Sequence, residues 1–129
     1  MATQEIICEK VLYIPSMGVE SIINGEITPK DGFQIQALPV QFAKITEKTE
    51  SPAAGPVNNQ QLEIITTNLN AADLHKLENN HCIFELTTDQ GRKLHFGSLV
   101  YPARFTSREN QLKSVRMIFN RQVFNESIL

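Results

Sequence analysis

The chain lacks the features that mark membrane, secreted and most catalytic proteins. No apolar run approaches the roughly 20 residues that cross a bilayer, so we expect no membrane insertion. The opening Met-Ala-Thr-Gln-Glu has no basic start followed by an apolar stretch, which predicts a cytoplasmic protein without a secretory signal. G-x-S-x-G, H-E-x-x-H and a phosphate-binding glycine loop are all absent, as are internal repeats. The sequence therefore predicts that the protein is not an enzyme.

Cysteine and histidine are scarce, with two and three residues respectively. Cys8 and Cys82 lie inside apolar strand patterns without a C-x-x-C pair, so we expect reduced, buried thiols. A disulfide between them requires their strands to be neighbours and an oxidising compartment that nothing else indicates. His75, His81 and His95 lack the spacing typical of metal ligands. We expect no metal and no other cofactor.

The 129 residues suit a single domain, residues 1–129, with 41% hydrophobic side chains to form its core. About seven or eight strand patterns occur, with turn signals every 8–15 residues. This spacing predicts a mainly β protein, either an antiparallel β-barrel or a β-sandwich. One short α-helix is expected at about 71–78, with Asn70 as its N-cap and Asp73 completing a capping box.

The strongest strand signal is a hairpin over residues 81–98. Apolar and polar residues alternate on both sides of Asp89-Gln90-Gly91, and the glycine favours a three-residue loop with a bulge. This loop pairs Phe84 with Phe96 and Leu86 with Leu94. A two-residue loop would place Phe84 opposite a histidine and lose the aromatic pair.

The other strands give weaker patterns. Residues 4–14 predict a first strand with a bulge near Glu9-Lys10, and residues 33–38 predict another, which is broken at Pro39. Asn24-Gly25 indicates the turn of a small hairpin or an irregular excursion. Residues 99–106 are interpreted as an edge strand broken by Pro102, and residues 107–110 as a turn. Residues 111–124 predict the last strand, with Val115, Met117 and Phe119 facing inward and Arg121 marking where that face reaches solvent.

Residues 46–60 show no periodicity and concentrate proline and glycine, which predicts a long flexible loop. Two interpretations stay open, a plain hairpin tip and an arm that orders against a neighbouring subunit. The residues proposed here as partner-binding are Ser51, Pro52, Ala53, Ala54, Gly55, Pro56, Val57, Asn58 and Asn59.

Charge is unevenly distributed along the chain. Residues 92–121 contain seven basic side chains against one acidic one, so this segment carries +6, while the whole chain carries −2. Such polarity is typical of proteins that bind a polyanion or other copies of themselves. We therefore propose Arg104, Arg108 and Arg116 as partner-binding. The alternative is pairing within the chain, to Glu5, Glu9 or Glu63.

The order of elements, with the long loop at 46–60, the helix at 71–78 and the strands at 81–124, resembles the small β-rich structural proteins of bacteriophage and prophage tails. The resemblance covers most of the chain without a diagnostic motif. It implies a non-catalytic, homo-oligomeric assembly protein, located in the virion rather than the cytoplasm, with the loop and sheet edges as subunit contacts.

Two alternatives stay open. A single-stranded nucleic-acid-binding barrel would use the basic segment 92–121, with Tyr101 and Phe105 stacking on bases. The overall acidity, with a pI of about 5.9, and the apolar parity of both aromatics weigh against it. A small-ligand barrel would need a wider, dry interior, which the seven phenylalanines could line or fill.

Overall fold

The structure, a computed structural model, describes residues 3–50, 57–67, 69–111 and 113–124. These residues form ten strands, one α-helix and a short 3₁₀ turn at Ser16–Gly18. The strands are β1 (Thr3–Pro15), β2 (Val19–Ile23), β3 (Glu26–Pro29), β4 (Gln36–Leu38), β5 (Val40–Glu50), β6 (Val57–Thr66), β7 (Cys82–Thr88), β8 (Lys93–Phe96), β9 (Arg104–Asn110) and β10 (Val115–Phe124), and the helix is α1 (Ala71–Asn79).

One antiparallel sheet contains most of the described strands, in the order β8-β7-β1-β5-β6-β10-β9, with β4 paired to β1. The sheet curls, because the rings of Phe84 on β7 and Phe119 on β10 lie 4.8 Å apart although three strands separate β7 from β10. A bridge between Cys82 and Ala103, with N–O distances of 3.1 and 2.9 Å, brings the start of β9 beside β7. The predicted mainly β, antiparallel fold is confirmed.

The barrel interior is filled by side chains in layers, which follow from the period of two along each strand. Ile45, Leu62 and Phe119 form one layer across β5, β6 and β10 and are fully buried. Phe84 lies against the rings of Phe96, Phe119 and Tyr13. The contacts of Phe84 with Phe96 and Phe119 are edge-to-face, a geometry that stabilises the core beyond the buried area of the rings. The phenylalanines at these positions are therefore fully buried and pack on one another in the core.

The 81–98 hairpin has the predicted register. Phe84 pairs with Phe96, Leu86 with Leu94, and Thr88 N donates to Arg92 O at 2.8 Å. Gly91 adopts a φ of 84°, the left-handed conformation that the bulged loop requires. The predicted bulge in β1 is also confirmed, since the pairing with β7 shifts between Cys8 and Lys10.

Helix α1 begins as the sequence predicts, because Asn70 Oδ1 accepts a hydrogen bond from Asp73 N at 2.8 Å. Leu77 is fully buried, and Leu69 and Leu74 pack against the same core cluster. The helix is therefore held by this apolar face, and its outward polar residues stay available for contacts with β9.

A separate hairpin, β2–β3, turns at Asn24 and Gly25, both with positive φ. A second apolar cluster joins Ile14, Val19 and Ile83, with Ile22 and Ile27 packed against it. Ile14 and Ile83 alternate with the inward-facing Tyr13 and Phe84, so this hairpin covers the outer face of β1 and β7.

Two sequence predictions for residues 33–60 differ from the structure. The strand expected at 33–38 is reduced to Gln36–Leu38. The flexible loop expected at 46–60 is largely strand, because β5 and β6 pair from Thr46 with Gln61 out to Glu50 with Val57. Residues 51–56, the centre of that expected loop, lie outside the described residues.

The last hairpin also differs from its prediction. Residues 99–102 lie outside the strand, and residues 107–110, expected as a turn, continue β9. The ladder with β10 then extends to Val115 paired with Asn110. Nearly every side chain of β9 is exposed, so the alternation that signals a strand is absent there.

Candidate functional site

A cleft of about 760 Å³ lies where β9 begins along β10. The β9–β10 ladder starts with Arg104 paired to Asn120, and β10 continues beyond this point along β6. The cleft is lined by residues 59–60 of β6, the loop 100–102, residues 104–106 of β9 and residues 120–122 of β10. Its volume lies within the range of about 300–1,000 Å³ that is typical of small-molecule sites.

Gln60 and Arg121 line this cleft, and together with Glu47 they form a layer of polar side chains inside the barrel. Glu47 on β5 pairs in register with Gln60 on β6, which in turn pairs with Arg121 on β10. Glu47 is 5% exposed and Gln60 is 2% exposed. Each of the three residues lies two positions from one of the core residues Ile45, Leu62 and Phe119 on the same strand. They therefore form the next layer outward from the apolar core.

Gln60 is oriented by its carboxylate neighbour. Gln60 Nε2 donates to Glu47 Oε2 at 2.7 Å, which leaves the amide oxygen Oε1 as an acceptor. Among the described residues, Oε1 has no hydrogen-bond partner and is screened from solvent. A buried acceptor without a donor costs about 1–3 kcal/mol, so this oxygen favours any donor that can reach it.

Arg121 does not simply mark the solvent boundary of its face, as the sequence suggested. Its guanidinium carbon lies 5.9 Å from the centre of the Phe96 ring, a cation–π distance. Because Phe96 is fully buried on β8, this contact places a cation over the end of the aromatic core. The guanidinium thus spans from β10 to β8 at the floor of the cleft.

Two half-buried aromatic side chains, Tyr101 and Phe105, line the cleft with Arg104. The tyrosine loop is held by Tyr101 N donating to Ser98 Oγ at 3.0 Å and Ser98 N donating to Tyr101 O at 3.1 Å. The Phe105 ring lies 5.8 Å from Phe119. The Phe105 ring is therefore held against the core and the backbone at Tyr101 is held by its loop, and Arg104 is exposed beside them.

The three arginines proposed from the sequence are not brought together. Arg108 pairs with Glu78 of α1, and Arg116 pairs with Glu63 and, at 3.7 Å, with Glu109. Only Arg104 lines the cleft. Pairing within the chain, which the sequence left open, thus occupies Arg108 and Arg116, and they do not join Arg104 in one basic face.

Of the proposed partner-binding segment, Val57, Asn58 and Asn59 are described, and all three belong to β6. Val57 is buried. Asn58 Oδ1 accepts from Thr49 Oγ1 at 2.8 Å, and Asn59 Oδ1 accepts from Gln122 Nε2 at 2.8 Å. Asn59 also lines the cleft, whereas Ser51–Pro56 lie outside the described residues.

Both cysteines are buried free thiols. Burial raises the pKa of Cys82 to about 12, and burial with the nearby Asp89 carboxylate raises the pKa of Cys8 to about 11. The Cys82 thiol donates to Asn80 O at 3.6 Å. A catalytic cysteine needs the opposite shift, towards the thiolate. Within the described residues, no group of three or more His, Cys, Asp or Glu side chains is arranged to hold a metal ion.

We expect iodoacetamide to modify neither Cys8 nor Cys82 in the folded protein at pH 8, because both thiols are buried and protonated there. In urea both should react, with intact mass reporting two additions. The variant Ser107→Cys, which places a thiol on the exposed strand β9, should react in the folded state and serve as the control. Rapid modification of Cys82 without urea would contradict the burial described here.

Glu47 and Gln60 were missed by sequence reasoning, because their stretch was interpreted as loop. The signal that could have found them is a pair of polar residues at the inward parity of two strands, two positions from the apolar Ile45 and Leu62. Such positions in a barrel end either reach solvent or line a site. The register between β5 and β6 decides which of these holds for Glu47 and Gln60. The sequence between the two strands has no clear pattern from which this register could be predicted.

No helix in the described parts of the chain is long and apolar enough to span a membrane. No protein-family model matches the chain. Germination-specific cysteine protease 1 of Arabidopsis thaliana is similar, with 31% identity over 103 residues, or 67% of this chain. The match spans about a quarter of that protease (27%), so it does not assign this chain to the family of the protease.

A crystal structure of a hypothetical protein from Staphylococcus aureus is similar in fold, with a TM-score of 0.58. The similarity covers 92% of this chain and 68% of that one, at 11% sequence identity. At this level of identity it shows a shared fold alone.

Proposed function

We propose that this protein is a non-catalytic structural subunit that associates with further copies of itself. The observation that carries the proposal is the β9 edge surface, which we define as Leu99, Val100 and strand β9. Among the described residues, β9 forms a strand ladder with β10 only. Nearly all of its side chains are exposed. A terminal strand of this length offers backbone groups for strand addition by a partner.

Two apolar side chains stand beside this edge. Leu99 is 48% exposed and Val100 is 76% exposed, and both lie in the loop that leads into β9. The Cys82–Ala103 bridge lies just before β9, and beyond it the strand has a ladder with β10 only, among the described residues. The exposed apolar pair and this edge combine the two contacts that β-strand addition uses, main-chain hydrogen bonds and side-chain anchoring. We infer that the pair is covered when a second copy docks.

A second copy of this chain is the partner that the charge distribution favours. Residues 92–121 carry +6 in a chain of net charge −2, so the remainder carries −8. Arg108 and Arg116 are paired with Glu78 and Glu63, so contacts with an acidic surface of another copy would use the exposed Arg104 and Lys113 of this segment. This arrangement agrees with the phage-tail-like assembly role that the order of elements implies, in the virion or the cytoplasm.

The proposal that the protein is not an enzyme is supported by its two buried thiols, whose raised pKa values disfavour the nucleophilic thiolate. Nucleic-acid binding along the whole segment 92–121 is less well supported, because Arg108 and Arg116 are paired internally. A ligand inside the barrel is also less well supported, since Phe84, Phe96 and Phe119 fill its interior.

Replacing Leu99 with aspartate should shift the native mass from an oligomer to the monomer, because a charge would be buried in the contact. Sedimentation velocity measures this directly. Leu99 does not line the cleft, so the cleft side chains stay unchanged. The matched control is Ile23→Asp on the β2–β3 hairpin, which adds the same charge at a residue that is 65% exposed.

The control should keep the wild-type mass, and both variants should unfold at the wild-type urea concentration. A wild-type protein that sediments as a monomer at all accessible concentrations overturns the proposal. So does a loss of association that is equal in Leu99→Asp and Ile23→Asp, since that would reflect charge alone.

A further inference from the structure

We propose that the cleft between β6, β9 and β10 binds a nucleotide unit, a planar base that carries a phosphate. Three features of the cleft converge on this chemistry: a buried acceptor in its lining, guanidinium groups from two strands, and two half-buried aromatic rings. The cleft shares Val100 and the first residues of β9 with the β9 edge surface, whereas Gln60, Tyr101 and Arg121 lie outside that surface.

The acceptor is Gln60 Oε1. Its orientation is fixed because Nε2 of the same amide donates to Glu47 at 2.7 Å. The oxygen has no partner among the described residues, and the side chain is 2% exposed. A ligand that brings an N–H group onto the floor of the cleft removes the cost of this unmet acceptor. Amide side chains recognise the donor and acceptor edges of nucleobases in this way.

The guanidinium groups supply the anion site. Arg104 is exposed at the start of β9, and Arg121 lies on the floor over the Phe96 ring. Guanidinium is the cation best suited to phosphate, because its fork of N–H donors matches the phosphate oxygens. Asn59 and Gln122, joined at 2.8 Å, add polar groups to the same wall. A charge-free planar ligand would leave this part of the cleft unused.

The rings of Tyr101 and Phe105 supply the planar contact. Both are half-buried, so each has one part packed in the protein and one part facing the cleft. The Ser98–Tyr101 hydrogen bonds hold the backbone at Tyr101, and the Phe105 ring is held by its contact with Phe119. Aromatic rings beside arginine are the combination on which bases stack, which an aliphatic acidic peptide cannot exploit.

The same chemistry occurs in a free nucleotide and in one residue of a single strand, so the test has two arms. Uridine and adenosine monophosphates are titrated into the protein by calorimetry, and an oligouridylate of about eight residues is titrated in parallel. Saturable binding of the monophosphates identifies a free nucleotide as the ligand. Saturable binding of the oligonucleotide alone identifies a strand. Either result supports the site if the variants below behave as expected.

Arg104→Gln should weaken binding about tenfold, as expected for loss of a charged hydrogen-bond donor. Lys113→Gln removes the same charge from an exposed residue outside the cleft and should change affinity less than about twofold. Tyr101→Ser should weaken binding about fivefold or more, and Tyr101→Phe should restore it, because the ring and not the hydroxyl makes the stack.

Three results overturn the proposal. The first is no saturable binding of either the monophosphates or the oligonucleotide. The second is an equal loss for Arg104→Gln and Lys113→Gln, which indicates charge attraction without a site. The third is binding of a glutamate-rich peptide as tight as that of the nucleotide. Arg104 is exposed, so we expect Arg104→Gln to keep the fold. Urea unfolding at the wild-type midpoint verifies this.

Discussion

Replacing Phe84 with alanine should lower the free energy of unfolding by about 3–5 kcal/mol, the cost of deleting a fully buried ring. Phe84 lies at the centre of the aromatic core, with ring centroids at 4.8 Å from Phe119 and at 6.5 Å from both Tyr13 and Phe96. These partners come from three different strands, so the cavity cannot collapse by moving one of them. Urea denaturation followed by circular dichroism measures the change.

The control for this variant is Phe105→Ala. Phe105 is half-buried and its ring meets only that of Phe119 among the described aromatic contacts. Its removal should cost clearly less, about 1–2 kcal/mol. An equal decrease in the free energy of unfolding in the two variants would contradict the placement of Phe84 at the centre of the core.

Gly97→Ala should lower the free energy of unfolding by about 3 kcal/mol or more, for two separate reasons. Gly97 has a φ of 114°, a conformation that side chains rarely adopt. A Cβ there would also lie 3.0 Å from Cys82 O and 3.2 Å from Ala103 N. These two backbone atoms form the bridge that joins the start of β9 to β7, so relief of the clash weakens the closure of the barrel.

Gly91→Ala is the matched control, since Gly91 has a positive φ of 84° with nothing within 4 Å of an added Cβ. Its cost should be about 1 kcal/mol, from the backbone conformation alone. Thermal unfolding of both variants separates strain from clash. If Gly97→Ala loses no more stability than Gly91→Ala, the close approach at the Cys82–Ala103 bridge is wrong.

The elements predicted correctly are those in which one face is apolar and the turn is marked. The 81–98 hairpin is of this kind, because one slip in register would move Phe84 and Phe96 to opposite faces. The N-cap at Asn70 was equally clear, since a local side-chain contact decides it. Local chemistry and burial agree at these positions, so the sequence suffices.

The candidate site could not be predicted, because its residues lack the apolar alternation that marked the correctly predicted strands. Its inward positions, Glu47 and Gln60, are polar, so the apolar alternation stops at Ile45 and Leu62 and the segment was taken for a loop. Arg121 was assigned to the correct face of β10, yet the ring beneath it belongs to β8, which is distant in sequence. Residues 107–110 of strand β9 were interpreted as a turn, because nearly every side chain of this strand is exposed. An exposed strand that forms a binding surface and a loop both lack alternation of apolar and polar residues, so the sequence does not distinguish them.

The pairing of β6 with β10 has a consequence for how the chain reaches this fold. Strands β5 and β6 can pair soon after synthesis, whereas Thr66 must wait for Val115, and Val57 for Phe124. Until the last strand leaves the ribosome, one full side of β6 is open to other chains. Slow translation after β6 therefore prolongs a state prone to misassembly, and a chaperone that covers this strand should raise the yield of native protein.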